Sequence, residues 1–63
     1  MPYRIEYYSH DKKVGDALAS FSIADAVQAA KRGLIRRQAQ YARIVDPDRD
    51  DRVVGLVHRE IQP

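Results

Sequence analysis

The sequence predicts a small α+β domain with the order β-β-α-β-β, in which one helix packs on one face of an antiparallel sheet. Two runs of alternating apolar and polar residues precede a single amphipathic stretch, and two more such runs follow it. Polar turn clusters separate the runs within each pair, which is typical of hairpins. A chain of 63 residues is expected to form a single domain, residues 1–63.

The first hairpin is predicted from residues 3–8 (YRIEYY), a run rich in aromatic and β-branched residues. Alternation places one set on one face and the other set opposite: Tyr3, Ile5 and Tyr7 against Arg4, Glu6 and Tyr8. The polar segment SHDKK is the predicted turn. Residues 14–21 (VGDALASF) then form the second predicted strand, with Ala17, Ala19 and Phe21 on one side.

The helix is predicted from a capping box and an apolar stripe. Ser22 and Asp25 have the spacing with which a serine hydroxyl accepts from the first-turn amides of a helix. The stripe has helical spacing and consists of Ile23, Val27, Ala30 and Leu34. Gly33 is typical of the left-handed residue that closes a helix, so the helix is predicted to end at Arg32.

An alternative continues this helix through Gly33 to Ala42, because Tyr41 lies seven residues after Leu34 and nearly on the same stripe. This alternative also places Gln38 on the apolar stripe, and an interior glycine costs about 1 kcal/mol. We therefore favour the earlier end.

The second hairpin is predicted from residues 40–46 (QYARIVD), the turn PDRDD and residues 52–61 (RVVGLVHREI). In the third strand Ala42 and Ile44 share one face, and Tyr41, Arg43 and Val45 share the other. The predicted core combines both hairpins and the helix: Ile5, Phe21, Ile23, Val27, Leu34, Ile44 and some of Val53, Val54, Leu56 and Val57.

One sheet face stays uncovered in this fold, because a single helix packs on only one side. In either orientation of the sheet that face carries aromatic surface, from Tyr3 and Tyr7 or from Tyr8. A domain of this size is marginally stable alone, and with no cysteine it has no disulfide. The bare face therefore predicts a homodimer or docking on another protein.

The acidic run DPDRDD at residues 46–51 matches the first acidic positions of a calcium-binding EF-hand loop. The match then fails, because the position of the obligatory glycine is Asp51 and that of the bidentate glutamate is Val57. We interpret the run as a solvated hairpin tip.

No pattern in the sequence predicts catalysis, a metal site or a cofactor. Ser9, His10 and Asp11 are consecutive, so in an extended segment they point to alternate sides and do not align as a triad. His58 has no second histidine at a spacing suited to a shared metal. The three glycines are isolated and form no phosphate-binding loop. We expect a protein that is not an enzyme.

The segment KRGLIRRQAQYAR, residues 31–43, holds five of the eleven basic residues and no acid. Arginines that grip phosphates beside a tyrosine that stacks on a base are typical of nucleic-acid surfaces. The candidate contacts are Lys31, Arg32, Arg36, Arg37, Tyr41 and Arg43. Arg36 and Arg37 are expected in the connection after the helix. A purely structural interpretation has Lys31 and Arg32 neutralising a helix end and Arg43 pairing with Glu6 or Glu60.

The first functional hypothesis is therefore a small non-enzymatic interaction module, a homodimer or a protein-docking domain. The alternative is a nucleic-acid-binding protein that uses residues 31–43. Sensing of a small ligand at a dimer interface has no residue that points to it. The chain has no apolar run of bilayer length, its first ten residues lack the regions of a signal peptide, and the absence of cysteine suits a reducing compartment. We expect a soluble cytoplasmic protein that does not contact membranes.

Overall fold

The computed structural model describes residues 2–19 and 21–59 of the chain. Its elements are β1 (Arg4–Ser9), β2 (Lys12–Leu18), α1 (Ile23–Arg37), β3 (Tyr41–Asp46), a 3-10 turn (Pro47–Arg49) and β4 (Arg52–His58). The strands form one antiparallel sheet in the order β2-β1-β3-β4, and α1 packs against β1, β3 and β4. The α+β class and the β-β-α-β-β order are thus confirmed.

The first hairpin is tighter than the sequence predicts. His10 and Asp11 both have positive φ, 52° and 63°, and together they connect β1 to β2. Two-residue turns of this kind match the twist of the flanking strands. Because the turn is only two residues long, β2 begins at Lys12 rather than Val14 and ends at Leu18. Phe21 therefore lies beyond the strand in which it was predicted.

The helix begins as predicted and ends later. Ser22 is the N-cap, and its hydroxyl oxygen accepts a hydrogen bond from the backbone N–H of Asp25 at 3.5 Å. Gln38 adopts the left-handed conformation that closes the helix, with φ of 54°. The N–H of Ala39 donates to the carbonyl of Leu34 at 3.1 Å, which is the hydrogen bond of the Schellman motif that commonly ends a helix.

Both predicted helix ends, Arg32 and Ala42, are therefore wrong. Gly33 does not have positive φ. It is buried in the helix interior, where the phenol of Tyr7 occupies the space that a Cβ atom would need. The glycine is needed for close packing on the sheet and not for a turn.

The core forms between α1, where three of the four buried residues are small, and the sheet, where most of the buried residues are larger. The buried helix residues are Ala26, Ala30, Gly33 and Leu34, and they face Ile5, Tyr7, Ala42, Ile44 and Val57. The short side chains bring α1 close to the sheet, which leaves room for bulky residues on β1, β3 and β4. Val27 and Val54 pack at the margin of this cluster.

Part of the predicted core is wrong. Phe21 is 77% exposed and Ile23 44% exposed, because Phe21 precedes α1, Ile23 is its first residue, and neither packs in the core cluster. Of the four β4 residues, some of which were expected in the core, Val57 is buried, whereas Val53 and Leu56 are exposed. The predicted continuation of the fourth strand to residues 60 and 61 falls outside the described residues.

The two edge strands differ in character. The outer strand β2 carries Lys12, Lys13 and Asp16, and Val14 is an extra residue that interrupts its pairing with β1. Charges and bulges of this kind protect a sheet edge from pairing with other chains. The outer strand β4 also has an extra residue, Val54, in its pairing with β3, but its residues 53–57 are uncharged. Within residues 2–19 and 21–59, no helix is long and apolar enough to span a lipid bilayer.

Candidate functional site: the open face of the sheet

The sheet face that points away from α1, here called the open face, carries side chains in three rows that cross all four strands. Directly opposed residues in neighbouring strands share a face, so the strand register defines these rows. Read from β2 to β4, they are Leu18-Arg4-Val45-Val53, Asp16-Glu6-Arg43-Leu56 and Lys13-Tyr8-Tyr41-His58. The predicted alternation of β1 and β3 is thereby confirmed, with Tyr8 on the open face and Tyr7 beneath the helix.

Glu6 is the acidic centre of this face. It is 8% exposed, and its carboxylate lies 3.1 Å from Nη2 of Arg43, 3.4 Å from Nη2 of Arg4 and 3.5 Å from Nζ of Lys13. The hydroxyl of Tyr8 donates to the same carboxylate at 3.3 Å. A nearly buried carboxylate needs such partners, because burial of an unpaired charge is strongly unfavourable. The expected pairing of Arg43 is therefore with Glu6, and Glu60 lies outside the described residues.

The two arginines beside Glu6 are not fully satisfied. The Nε atoms of Arg4 and Arg43 are buried and have no hydrogen-bond acceptor among the described residues. A buried donor without an acceptor costs about 1–3 kcal/mol. The guanidinium of Arg43 also donates to the hydroxyl of Tyr8 and lies 4.6 Å from the centre of its ring.

The electrostatics of the open face follow from these contacts. Burial opposes the charge of Arg43, but the hydrogen bond to Tyr8 and the charge of Glu6 outweigh it, so the pKa of Arg43 is raised. Lys13 and Asp16 form an ion pair at 2.9 Å. The hydrogen bond in that pair raises the pKa of Lys13 and lowers the pKa of Asp16.

Charge on the open face is balanced. Arg4 also pairs with Asp51 at 3.1 Å, so three cations and three carboxylates make up the network that surrounds Glu6. A balanced network provides no net attraction for a polyanion. It presents both members of a charge pair on the same face.

An aromatic row borders the network. The rings of Tyr8 and Tyr41 are stacked, with centroids 5.2 Å apart and planes 7° from parallel. The ring of His58 is tilted against Tyr41 at 5.9 Å. Cross-strand aromatic pairs of this kind stabilise a sheet by about 0.2–1 kcal/mol each. In the described residues, the rings of Tyr8 and Tyr41 already contact each other, so their inner faces are not open to a base.

The six residues predicted to contact nucleic acid fall on opposite sides of the sheet. Tyr41 and Arg43 lie on the open face, while the four others belong to α1 and are exposed: Lys31, Arg32, Arg36 and Arg37. Because the helix ends only at Arg37, Arg36 and Arg37 are in its last turn and not in a connection, which corrects that prediction. Positive charge in a last turn suits the helix dipole.

The acidic run at residues 46–51 forms the tip of the second hairpin. The carboxylate of Asp46 accepts from the backbone N–H of Asp48 at 3.0 Å and lies 3.7 Å from Nε of Arg49. Asp50 and Asp51 both have positive φ and complete the turn. The part of the chain that the structure describes has no cluster of three or more side chains suited to hold a metal ion.

Sequence reasoning missed the Glu6-centred network as a unit. It assigned Arg4, Glu6 and Tyr8 to one face and Arg43 to a partner, but it left open which strand would lie beside β1. The strand order places β3 there, and that neighbour brings Arg43 opposite Glu6. The informative signal was the presence of one acid and one base on the outward faces of β1 and β3, Glu6 and Arg43.

Comparison with known proteins identifies no family for this chain. The chain matches no protein-family model, and it gives no significant match to curated proteins or to solved structures.

Proposed function

We propose that this protein is a non-catalytic interaction module that pairs with a second copy of itself through the open face. The observation that carries the proposal is the order of side chains in the three rows described above. The cytoplasmic location expected from the absence of cysteine belongs to the same proposal.

The central row is self-complementary under two-fold symmetry. A two-fold axis that runs along the strands, between the two sheets and midway between β1 and β3, reverses each row in the partner. Glu6 then faces Arg43 of the second copy, and Arg43 faces the second Glu6. Isologous dimers require this kind of complementarity. Packed sheets are rotated by about 30° relative to each other, which moves facing residues out of alignment. Glu6 and Arg43 lie nearest the two-fold axis, so this rotation moves them least.

The other rows support the same arrangement. Reversal places Leu18 opposite Val53, and Tyr8 opposite Tyr41. Leu18 is 73% exposed, so its contact with a second copy buries apolar surface that the single chain leaves in water. Three oppositions are poor, since Asp16 meets Leu56, Lys13 meets His58 and Arg4 meets Val45. The first two pairs lie on edge strands, where Asp16 and Lys13 keep their ion pair at the polar rim.

The size of the face predicts a weak dimer. Strands spaced by about 4.8 Å, with about 3.3 Å per residue, give four strands of five residues a projected face of roughly 300 Å². Stable interfaces bury about 800 Å² per partner. We therefore expect an association that depends on protein concentration in the micromolar range or above.

Sedimentation equilibrium across a concentration series tests the proposal. We expect a monomer-dimer equilibrium, and a thermal midpoint that rises with concentration because association stabilises the folded state. Leu18→Asp should shift the equilibrium toward monomer because it introduces a charge into the apolar part of the face, and Leu56→Asp should do so because it places a second carboxylate opposite Asp16. Ile35→Asp is the matched control, since Ile35 is 71% exposed on α1, and it should leave the equilibrium unchanged.

A protein that stays monomeric at all concentrations up to the millimolar range would contradict the proposal of self-association. A dimer that Ile35→Asp disrupts and Leu56→Asp does not would place the interface on the helix side instead.

Nucleic-acid binding is the second candidate, and one observation favours it. Lys31, Arg32 and Arg36 are exposed on α1, and they form no ion pair with other described residues. The position of Tyr41 on the opposite side of the sheet gives this candidate less support.

Fluorescence anisotropy with labelled single-stranded RNA and duplex DNA tests it over a salt series. Binding that weakens with salt, and that loses salt dependence when Arg36 and Arg37 are both replaced by alanine, is the expected result for this candidate. Binding that is unchanged in the double variant, or absent at low salt, contradicts it.

A further inference from the structure

A cleft lies between α1 and β2, on the side of the sheet opposite to the open face. Its volume is about 240 Å³. It exists because α1 packs over β1, β3 and β4, while β2 carries only the small residues Gly15 and Ala17 beside Tyr7 and Ile5. The bottom of the cleft is closed, because Ile5 and Tyr7 are 1% and 3% exposed. The surface that a ligand can reach is therefore mainly the polar rim.

Three arginines of α1 border this cleft: Arg32, Arg36 and Arg37. None of them forms an ion pair with another described residue. The pKa of Asp16 is lowered chiefly by its hydrogen bond to Lys13, and the charge of Arg37 contributes only weakly. Like charges four residues apart in a helix, such as Arg32 and Arg36, repel each other. The rim is therefore a concentrated positive charge that no described acid neutralises.

The guanidinium of Arg37 is held in place over the bottom of the cleft. It lies 4.9 Å from the centre of the Tyr7 ring, a distance at which a cation is attracted to an aromatic face. The phenol of Tyr7 is itself fixed, because it occupies the space that a Cβ atom of Gly33 would need. Gly15 leaves room for the guanidinium, since a Cβ atom there would come within 2.5 Å of its Nη1 atom. A group that is positioned in advance loses less conformational freedom on binding.

We propose that this cleft binds a diphosphate group, either as inorganic pyrophosphate or as a diphosphate ester. Arginine presents forked N–H donors that match phosphate oxygens. Arg32 and Arg36 are separated by a rise of about 6 Å along the helix, so their charges suit an anion that extends over more than one phosphorus centre. The volume equals about eight times the roughly 30 Å³ of one water molecule in the liquid, which is more than a single phosphate fills.

The site is distinct from the open face, and its shape favours a small anion over a nucleic acid. The cleft is a recess between helix and strand, into which a duplex does not fit. Lys31 is equally exposed on α1 but does not line the cleft. Binding in the cleft should therefore depend on Arg36 and not on Lys31, whereas a polyanion that lies along the helix should depend on both.

Inorganic pyrophosphate is the probe, and the readout is the amide spectrum of the intact chain by NMR. A salt concentration of about 0.15 M screens exposed charges that lie more than about 8 Å apart. We expect pyrophosphate to shift the resonances of Gly15, Ala17 and Gly33 in a saturable manner. Inorganic phosphate has one phosphorus centre, and citrate has planar carboxylates in place of tetrahedral phosphates, so both should bind at least about threefold more weakly.

Methyl diphosphate distinguishes the two sources of the group. Tighter binding of pyrophosphate would indicate the free anion as the ligand, and tighter binding of methyl diphosphate would indicate an ester. Either result supports the site, provided that the same amide resonances shift.

The first pair of variants separates the cleft from the rest of the helix surface. Arg36→Gln removes a cation from the rim and should weaken pyrophosphate binding by at least about fivefold, as expected for a charge-assisted hydrogen bond. Lys31→Gln is the matched control, because it removes one positive charge from the same helix outside the cleft. It should weaken binding by less than about twofold.

The second pair tests the position of Arg37 without changing any charge. Gly15→Ala should displace its guanidinium and weaken binding by at least about twofold, and the protein should stay folded because the displaced group is the far end of a flexible side chain. Gly55→Ala is the control, since a new Cβ atom there would meet Ile44 at an ordinary 3.5 Å. It should retain the affinity of the original chain.

Four results would each overturn the proposal. They are the absence of a saturable shift with pyrophosphate and methyl diphosphate, equal affinity for pyrophosphate, phosphate and citrate, equal losses in Arg36→Gln and Lys31→Gln, and full affinity in a folded Gly15→Ala variant. Equal losses in the two charge variants would indicate attraction of anions to the whole helix surface, as expected for a nucleic-acid backbone.

Discussion

The phenol of Tyr7 fills the notch that Gly33 leaves in the surface of α1, so that a side chain from β1 and a backbone position in the helix share one space. A glycine in a helix interior ordinarily costs about 1 kcal/mol relative to alanine. Here that cost is offset by burial of a tyrosine that is only 3% exposed.

Gly33→Ala should therefore destabilise the protein, although the same change in an exposed helix stabilises it. The new methyl group would overlap the Tyr7 ring, and overpacking of a core typically costs about 1–3 kcal/mol. Urea denaturation at a fixed protein concentration measures the change in the free energy of unfolding. Gly55→Ala is the control and should be tolerated. A gain in stability for Gly33→Ala would show that Tyr7 leaves the notch readily.

Phe21 should contribute little to stability in spite of its size. Because its side chain is 77% exposed, Phe21→Ala should change the free energy of unfolding by less than about 0.5 kcal/mol. Ile44→Ala, at a fully buried position, should lower it by about 2–5 kcal/mol. Comparable losses of stability for the two variants in thermal unfolding would contradict the exposed position of Phe21.

At Asp11, in the turn between β1 and β2, glycine should stabilise the protein and a β-branched residue should destabilise it. Asp11 has φ of 63°, in the left-handed region that costs most residues about 1–2 kcal/mol. Asp11→Gly should relieve that strain and raise stability by up to about 1 kcal/mol, whereas Asp11→Val should lower it. Chemical denaturation of the two variants compares them directly. The expectation fails if valine is tolerated as well as glycine.

The Asp16 carboxyl should titrate below its ordinary pKa of 3.8, because Lys13 donates a hydrogen bond to its charged form. With the folded pKa depressed, the contribution of Asp16 to stability is present above pH 3.8 and is lost as the pH falls through the folded pKa. Side-chain NMR titration measures this value. Lys13→Met should move it upward.

Lys12→Met is the control for that titration, since the neighbouring lysine forms no ion pair with Asp16 among the described contacts. An equal shift in both variants would indicate a general charge effect and not the 2.9 Å pair.

Local patterns predicted which segments become strands and helix, but not what each glycine does. The alternation of β1 and β3 and the capping serine are local signals, and all three are confirmed. Gly33 was misread because a helix-closing glycine and a glycine that admits a tyrosine look alike in sequence. The difference depends on Tyr7, which is distant in the chain and near only in the fold.

The candidate site shows the same limit. The sequence provided Arg43 and Glu6 as possible partners, but the network depends on β1 and β3 being neighbours at the centre of the sheet. Grouping Arg36 and Arg37 with Tyr41 failed for a related reason. Nearness in sequence across a helix end does not place residues on one side of a sheet.

The strand order also determines how the chain assembles. Among the described strands, β1 and β3 form the one pairing that is not a hairpin, and Glu6 and Arg43 are separated there by 37 positions. Hairpins form within about 1–10 μs, whereas a long loop must close before distant strands pair. Ile5→Val and Ile44→Val should therefore slow folding more than Val57→Ala does, relative to their effects on stability, in stopped-flow kinetics. Equal ratios of the change in folding rate to the change in stability for all three variants would contradict this order of assembly.

Until the two hairpins meet, the inner edges of β1 and β3 are unpaired. At these edges partly folded chains are most prone to exchange hairpins with one another.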